Sequence, residues 1–512
     1  MLFFGLLAAR RWSQLASPQV WDEDGYIISG FISNGWREFL QPINGYLVLV
    51  PMLISKASLA ASIYYYPFIS TLLAWVFIAL VGLAVAKAPT HLRGRFLCAV
   101  SIFLIPSNPE TFGLPLYTFW WASILLLLVA LWDERRPHLW LRLALLVAGG
   151  FSSPFILVIL PPLYFRAFRH RTRAETAVAL AATGIAAIQI YFVSTGAANA
   201  GTSLASVLQD VVPKFCGWFL VGNLSEHRYL LWPMGILVLA LVARWALGNR
   251  RNPMAWIIVF LYCGAIASSV YRNDASILHP ALAGPRYFFL PFILTFWILV
   301  QLLLSADMGW IRFAAGIAIL TGVLNALPVR TRQHDDLQWA EHLRSARLFH
   351  DYEVPIECDG RRFTAWSIDE SGATWDRLVR RDRLVSAGRL AELPTFAYRV
   401  VNPNKVDGGQ NPAARNDRDA RGRGPVISFV PTVSGGGNVL LTFGAGRRIR
   451  FRSGPVPARP CMAVIGHEKA YIASLPITED WVTLEFSNSS LPKEFTIEIK
   501  DRGQGVGEWS AL

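Results

Sequence analysis

Residues 62–87, SIYYYPFISTLLAWVFIALVGLAVAK, carry no charged side chain before the closing Lys87. A bilayer core asks for roughly 20 consecutive apolar residues in helical form, so this stretch reads as a membrane-spanning helix. Comparable apolar runs follow at 93–106, 112–132, 138–150, 151–166, 174–195, 229–246, 254–271, 286–305 and 310–328. Within 138–166 the segment Gly149-Gly150-Phe151-Ser152-Ser153-Pro154 reads as a tight turn between two helices. The chain of 512 residues is 53% hydrophobic and 16% charged, against about 25% charged in an ordinary soluble domain. Its charge is concentrated in the last 180 residues. The expected fold class is therefore a mainly α polytopic membrane protein with about 10–11 transmembrane helices, followed by a C-terminal α+β domain.

The expected divisions are a transmembrane domain over 1–329, a helical connector over 330–401, a linker over 402–425 and a β-sandwich over 426–512. In the connector, 334–348 and 374–392 have amphipathic helical patterns. The linker NPNKVDGGQNPAARNDRDARGRGP (402–425) is poor in apolar residues and rich in Gly, Asn, Asp and Arg. After it come the short alternating runs VISFV, NVLLTF, RRIRFR, CMAVI, AYIASL, WVTLEF and EFTIEI, whose length and spacing point to a β-sandwich.

Loop charges suggest an orientation. Lys87, Arg93 and Arg95 form one basic loop, and Arg135 with Arg136 the next alternate one. Arg166, Arg169, Arg171 and Arg173 follow, and then Arg244, Arg250 and Arg251. The intervening loops are nearly free of Lys and Arg. By the positive-inside rule the basic loops are cytoplasmic, which puts 107–111, 196–228, 272–285 and everything after Leu327 outside. The net charge of +13 is explained by these loops and does not call for nucleic acid. Five cysteines are too few for a disulfide scaffold. The N-terminus stays open on charge alone. Residues 26–40 suit a helix lying in the interface, and 44–60, with Pro51 and Lys56, suit either a half-embedded helix or a span.

Chemistry-bearing residues stand out against this background. Asp22, Glu23 and Asp24 sit inside Trp21-Asp22-Glu23-Asp24-Gly25, beside membrane-embedded sequence where charge is costly. They could supply a general base, with a divalent cation (Mg or Mn) held between Asp22 and Asp24. The plainer reading is a solvated acidic cap on the helix that follows. In GPRYFFLP (284–291), Arg286 offers a fork suited to phosphate and Tyr287 a second donor, while anchoring at the interface is the alternative. Arg272 and His279 share that loop and could assist. Glu110, in Ser107-Asn108-Pro109-Glu110, could be a second acid, or a cap for the helix at 112–132. Trp120 and Trp121 could line a groove for an isoprenoid or a sugar, although core packing accounts for them equally. The chain has no Walker A motif, no dinucleotide glycine turn and no His/Cys metal cluster, so nucleotide-driven chemistry lacks support.

W-x-E-D-G at 21–25, an aromatic-rich amphipathic helix, then Pro42, Gly45, Tyr46 and Pro51 in P-x-x-G-Y-x-x-x-x-P, together resemble the multi-spanning glycosyltransferases of the GT-C superfamily. The nearest likeness is to bacterial members that modify O-antigen or cell-wall glycans. The GPRYFFLP run is similar to an R-Y-F-x-x-P element of the same group. The resemblance implies a GT-C-like fold in the bacterial inner membrane, a polyprenyl-phosphate-linked sugar donor, and a glycan or lipid acceptor on the extracytoplasmic face. It implies Asp24 or Glu23 as the base, with Asp22 accessory, and Arg286 on the donor phosphate. It also implies that 44–60 is interfacial or re-entrant, with the acidic triplet outside. The chain departs from the pattern at its first span, reduced to MLFFGLLAA before Arg10-Arg11 unless that helix runs to about Ala16. An O-antigen ligase or polymerase, and a transporter of a lipid-linked precursor, are the alternative functions. A transporter would place ionisable groups within its spans and show repeat symmetry, and neither is seen.

Overall fold

The computed structural model describes residues 1–195 apart from Asp22 and Pro137, 209–222, 228–271, and 278–327 apart from 282, 283 and 307. Beyond these it describes short stretches within 339–384 and the backbone of strands between 398 and 511. The chain is a mainly helical, polytopic membrane protein. Six of its described helices are long and apolar enough to cross a membrane: Tyr66–Lys87, Arg173–Ser194, Tyr229–Gly248, Pro253–Tyr271, Pro285–Ser305 and Gly309–Ala326.

Their outer faces support that reading. In Tyr66–Lys87 the exposed large side chains Leu72, Val76, Leu80 and Leu83 recur every three or four residues. In Gly309–Ala326 the same spacing exposes Trp310, Phe313, Ile317, Leu320 and Leu324. Such a stripe on one helical face is a liability in water and an ordinary surface in lipid.

Four of the expected spans are shorter helices: Arg95–Ile102, Thr118–Ala130, Leu139–Gly150 and Ile156–His170. Sequence breakers account for this. Pro106, Pro109, Gly113 and Pro115 occupy the stretch between the first two, and Ser152, Ser153 and Pro154 that between the last two. Thr118–Ala130 has every residue but Trp120 buried, so it is a core helix that meets side chains rather than lipid. Phe289–Ser305 is buried along most of its length and packs beside it.

The chain divides into two compact units. The first comprises Met1–Leu15, Trp36–Ile54 and Thr71–Thr331, and holds the helical core just described. Its opening helix, Leu2–Ala16, continues past Arg10-Arg11 to Ala16 with a kink at Arg11. Two ends of this unit can be told apart along Thr118–Ala130. At its start lie Glu110 and Tyr117. At its finish Thr90 bridges Trp132, flanked by hydrogen bonds from His91 N to Leu131 O (2.9 Å) and from Asp133 N to Pro89 O (2.7 Å).

A buried ion network lies at that second end. Glu175 accepts from Arg142 (2.8 and 3.0 Å) and from Arg166 (2.7 and 3.1 Å), both contacts being two-pronged. All three side chains are nearly inaccessible, so each charge depends on the others for the solvation it has lost.

The second unit gathers Ala16–Gly35 and Ser55–Ser70 with Arg332–Leu512. The helix Asp24–Asn34 packs on the strand pair Val354–Pro355 and Ser367–Ile368. Asp382 accepts from Ser62 Oγ (2.6 Å) and Tyr64 N (3.1 Å), and Trp339 Nε1 donates to Ile63 O (2.9 Å). Farther on, Ala470–Ser474, Cys461–Ile465, Phe495–Lys500 and Asn438–Phe443 form a four-stranded antiparallel sheet in that order. A five-stranded sheet runs Tyr398–Asn404, Trp481–Phe486, Arg448–Ser453, Ser510–Ala511 and Ser428–Phe429. Apart from Tyr398–Asn404, which straddles the expected connector and linker, and Ser510–Ala511, these strands fall on the alternating runs of the sequence. The helix expected at 374–392 is present as Gly372–Arg380, whereas most of 334–348 lies outside the described residues.

Removing Glu175 strips two buried arginines of their shared two-pronged partner and leaves Arg166 with Glu134 at 4.0 Å. Glu175→Ala is expected to destabilise the folded protein by about 3–5 kcal/mol, and Arg142→Met/Arg166→Met/Glu175→Leu to recover most of that loss. Thermal unfolding in detergent, followed by near-ultraviolet dichroism, measures both.

Candidate functional site

The loop between Arg95–Ile102 and Thr118–Ala130 is stitched down by side chains remote in sequence. Arg10 donates to Ser107 O (2.8 Å), Ile105 O (3.3 Å) and Ala326 O (2.8 Å). Arg11 donates to Pro109 O and Glu110 O, each at 3.0 Å. Trp218 Nε1 donates to Pro106 O (3.1 Å), and Asn108 N to Pro280 O (2.9 Å). Gly113 completes the loop. Its φ of +82° and the Trp75 indole packed where a Cβ would stand leave room for glycine alone.

On this platform Glu110 lies in a 3₁₀ turn, Pro109–Thr111, with its side chain almost wholly buried. Its carboxylate does not cap a helix. Oε1 accepts from Arg286 Nη1 (2.8 Å) and from the Tyr117 hydroxyl (3.0 Å), and Arg286 Nη1 also donates to the Tyr117 oxygen (2.9 Å). Glu110 Oε2 is buried with no hydrogen-bond partner among the described residues. The Arg286 guanidinium stands over the rings of Tyr117 (5.5 Å) and Tyr287 (5.4 Å), and 28% of its side chain is exposed. Trp120 meets Tyr287 edge-on at 5.7 Å. Arg286 and Tyr287 belong to the turn Pro285–Phe288, entered through Gly284 with φ +64°. The result is a held cation among aromatic rings beside a carboxylate with one unused oxygen. Such a group suits a phosphate together with a hydroxyl-bearing neighbour.

His279 belongs to the same platform. Its ring meets Trp218 edge-on at 4.6 Å, and its Nδ1 accepts from Ala281 N (3.1 Å), the role of a neutral imidazole. Burial, reinforced by the charge of Lys214, holds its pKa below the ordinary value. Of the residues singled out from sequence, the structure therefore brings Glu110, Arg286, Tyr287 and His279 together in the first unit. Arg272 lies outside the described residues. Tyr117, Arg10 and Arg11 complete the group. Tyr117 carries only the signal of an aromatic inside the apolar run 112–132, and the two arginines only that of charge closing the short run MLFFGLLAA.

Glu23 and Asp24 belong to the second unit. Glu23 occupies the N-cap position of Asp24–Asn34 without a capping side-chain bond, and is partly exposed. Asp24, in the first turn, is 1% exposed, which a solvated cap would not be. Gly25 beside it lies against Ile356 and Ile368. Asp22 lies outside the described residues, so the metal expected between Asp22 and Asp24 has one described donor.

No protein-family model matches the chain, and no curated protein matches it. Among solved structures, the arabinosyltransferase EmbB from Mycobacterium smegmatis, determined by single-particle cryo-electron microscopy, matches with a TM-score of 0.28 at 12% identity. The match covers 100% of this chain and 63% of that one, so the chain spans less than two thirds of the enzyme's length.

The lowered pKa of His279 sets a pH dependence. The folded state holds the proton less tightly than the unfolded chain, so the contribution to stability is full above about 6.5 and is lost as pH falls below it toward the folded-state value. Thermal midpoints of the detergent-solubilised protein are expected to fall between about pH 7 and pH 5.5, with a shallower slope in His279→Gln.

Proposed function

We propose that this chain is an integral-membrane glycosyltransferase that moves a sugar from a polyprenyl-phosphate donor to a glycan or lipid acceptor. The observation that carries the phosphate-binding part is the Arg286 guanidinium, fixed by Glu110 and two tyrosine rings while still partly open. In this reading Arg286, with Tyr287 beside it, binds the donor phosphate and stabilises the charge that grows on it as the glycosidic C–O bond breaks. Glu110 positions Arg286. Asp24, or its neighbour Glu23, takes the proton from the acceptor hydroxyl as its oxygen bonds to the anomeric carbon, and polyprenyl phosphate leaves. His279, and Arg272 in the same loop, support the donor side. A divalent cation at Asp22 and Asp24 would be an addition to this scheme, which balances without it.

Topology is compatible with such a reaction. The helix Asp24–Asn34 packs on residues of the C-terminal chain, so the two share one side of the membrane. Residues 62–66 of the same unit open the span whose far end carries Lys87, followed by Arg93 and Arg95. If those basic residues are cytoplasmic, the acid and the C-terminal β-sandwich are extracytoplasmic.

Two outcomes test the assignment. Asp24→Asn and Glu23→Gln, made singly, are expected to leave the protein in the membrane and at least one of them to abolish sugar transfer; full activity in both removes the base. Arg286→Ala is expected to raise KM for the donor by roughly 10- to 100-fold, the cost of losing a hydrogen bond to a charged group, and to lower kcat, with the transfer rate partly regained at high donor. Unchanged donor affinity would make Arg286 an anchor. The assay is transfer from the lipid-linked sugar that accumulates when the protein is absent.

A further inference from the structure

At the opposite end of the first unit from Arg286, three possible metal ligands meet. His91, Asp133 and Glu134 each place one ligand atom within 4.8 Å of the others, the one such group among the described residues. They come from two loops already tied together by the Thr90–Trp132 bridge and its flanking hydrogen bonds, so the site is held by backbone rather than by the ligands themselves. His91 Nε2 contacts Glu134 Oε2 at 2.8 Å, and both side chains are about a quarter exposed, at 27% and 25%, open to an ion from solvent.

The surrounding charges leave the pair of carboxylates available. Arg166 and Arg142 are committed to Glu175, and Arg166 approaches Glu134 only to 4.0 Å, beyond hydrogen-bond range. Two carboxylates and one imidazole, each with a ligand atom within 4.8 Å of the others, form an arrangement that a cation can bridge.

We propose that His91, Asp133 and Glu134 bind a divalent transition-metal ion, zinc being the best match. One imidazole and two carboxylates are a zinc or manganese donor set, whereas magnesium avoids imidazole and keeps its waters. Three protein donors leave a fourth position to water. The ion would clamp the loop after Tyr66–Lys87 to the loop after Thr118–Ala130. This site is separate from the Arg286 platform and does not depend on the reading of the chain as a glycosyltransferase.

The test uses the full chain in detergent, free of any histidine tag, with its thiols alkylated so that Cys263, which is exposed, cannot take up the ion. Calorimetric titration with Zn²⁺ alone is expected to show about one saturable site per chain, and the thermal midpoint to rise by a few degrees with Zn²⁺ and not with Mg²⁺. The discriminating variant is Asp133→Asn. It keeps an oxygen for the bond that Asp133 Oδ1 accepts from Arg135 N, and leaves the His91–Glu134 pair intact, yet removes one charged ligand. Zinc affinity should fall at least tenfold in Asp133→Asn and be lost in His91→Ala, with both variants monodisperse. Absence of stoichiometric zinc uptake, or uptake unaltered in Asp133→Asn, overturns the site and leaves a His–Glu loop contact.

Discussion

A loop that turns at the end of a membrane bundle has few waters to hydrogen-bond its carbonyls, and that constraint organises the first unit. Five buried or half-buried carbonyls, those of Ile105, Ser107, Pro109, Glu110 and Ala326, are satisfied by the guanidinium groups of Arg10 and Arg11. Each arginine is multidentate, so two side chains of one short helix fix the path of a loop almost 100 residues away. Once that path is fixed, Glu110 faces Tyr117 and Arg286, and the Pro285–Phe288 turn has a partner to pack on. The cation of the candidate site is thus held at second hand by two other cations.

Charge at the two ends of this unit is used differently. At the Glu110 end the described arginines answer backbone carbonyls and a single carboxylate. At the other end Arg142 and Arg166 answer Glu175, while His91, Asp133 and Glu134 stand beside them at the surface. Burial explains the difference. A loop carbonyl is neutral and costs its own desolvation, whereas Glu175 is a full charge that needs two bidentate partners to be tolerated. Positive charge in this chain is therefore a structural material as well as the basis of the expected orientation, and composition does not tell the two uses apart.

That ambiguity marks where the sequence was legible. Tyr66–Lys87 could be read directly, because an uninterrupted apolar run has one plausible fate. Seven strands between 428 and 500 are visible as alternating runs of five or six residues, whereas Tyr398–Asn404 is hidden in a stretch read as connector and linker. GPRYFFLP drew attention to Arg286 and Tyr287 through composition alone. The partnership of Arg286 with Glu110, 176 residues apart, was not visible, since nothing local records which loops meet. Glu110 invited a capping role because a helix was expected at 112, but Gly113 and Pro115 delay that helix to Thr118 and free the carboxylate for Arg286. Arg10 and Arg11 carry no local mark of their role, since a loop-binding arginine and a topology-setting arginine have the same letter.

The acidic motif at 21–25 shows the same division of labour within five residues. Trp21 is buried and its carbonyl accepts from Asp24 N at 2.8 Å, which starts the helix. Asp24 is carried inward by that first turn, while Glu23, one residue earlier, remains partly exposed. Gly25 is then the residue that faces Ile356 and Ile368, and a methyl group there would collide with Ile356. The strand pair approaches the helix closely at a position that has no side chain, and a side chain there would require the end of Ile356 to move. The glycine of W-x-E-D-G therefore belongs to the packing of the C-terminal chain, and the acid before it is buried as a consequence. A carboxylate kept this close to a hydrophobic contact loses water that would otherwise solvate it, so the burial of Asp24 follows from how the strand pair packs and not from any preference of the acid for that place.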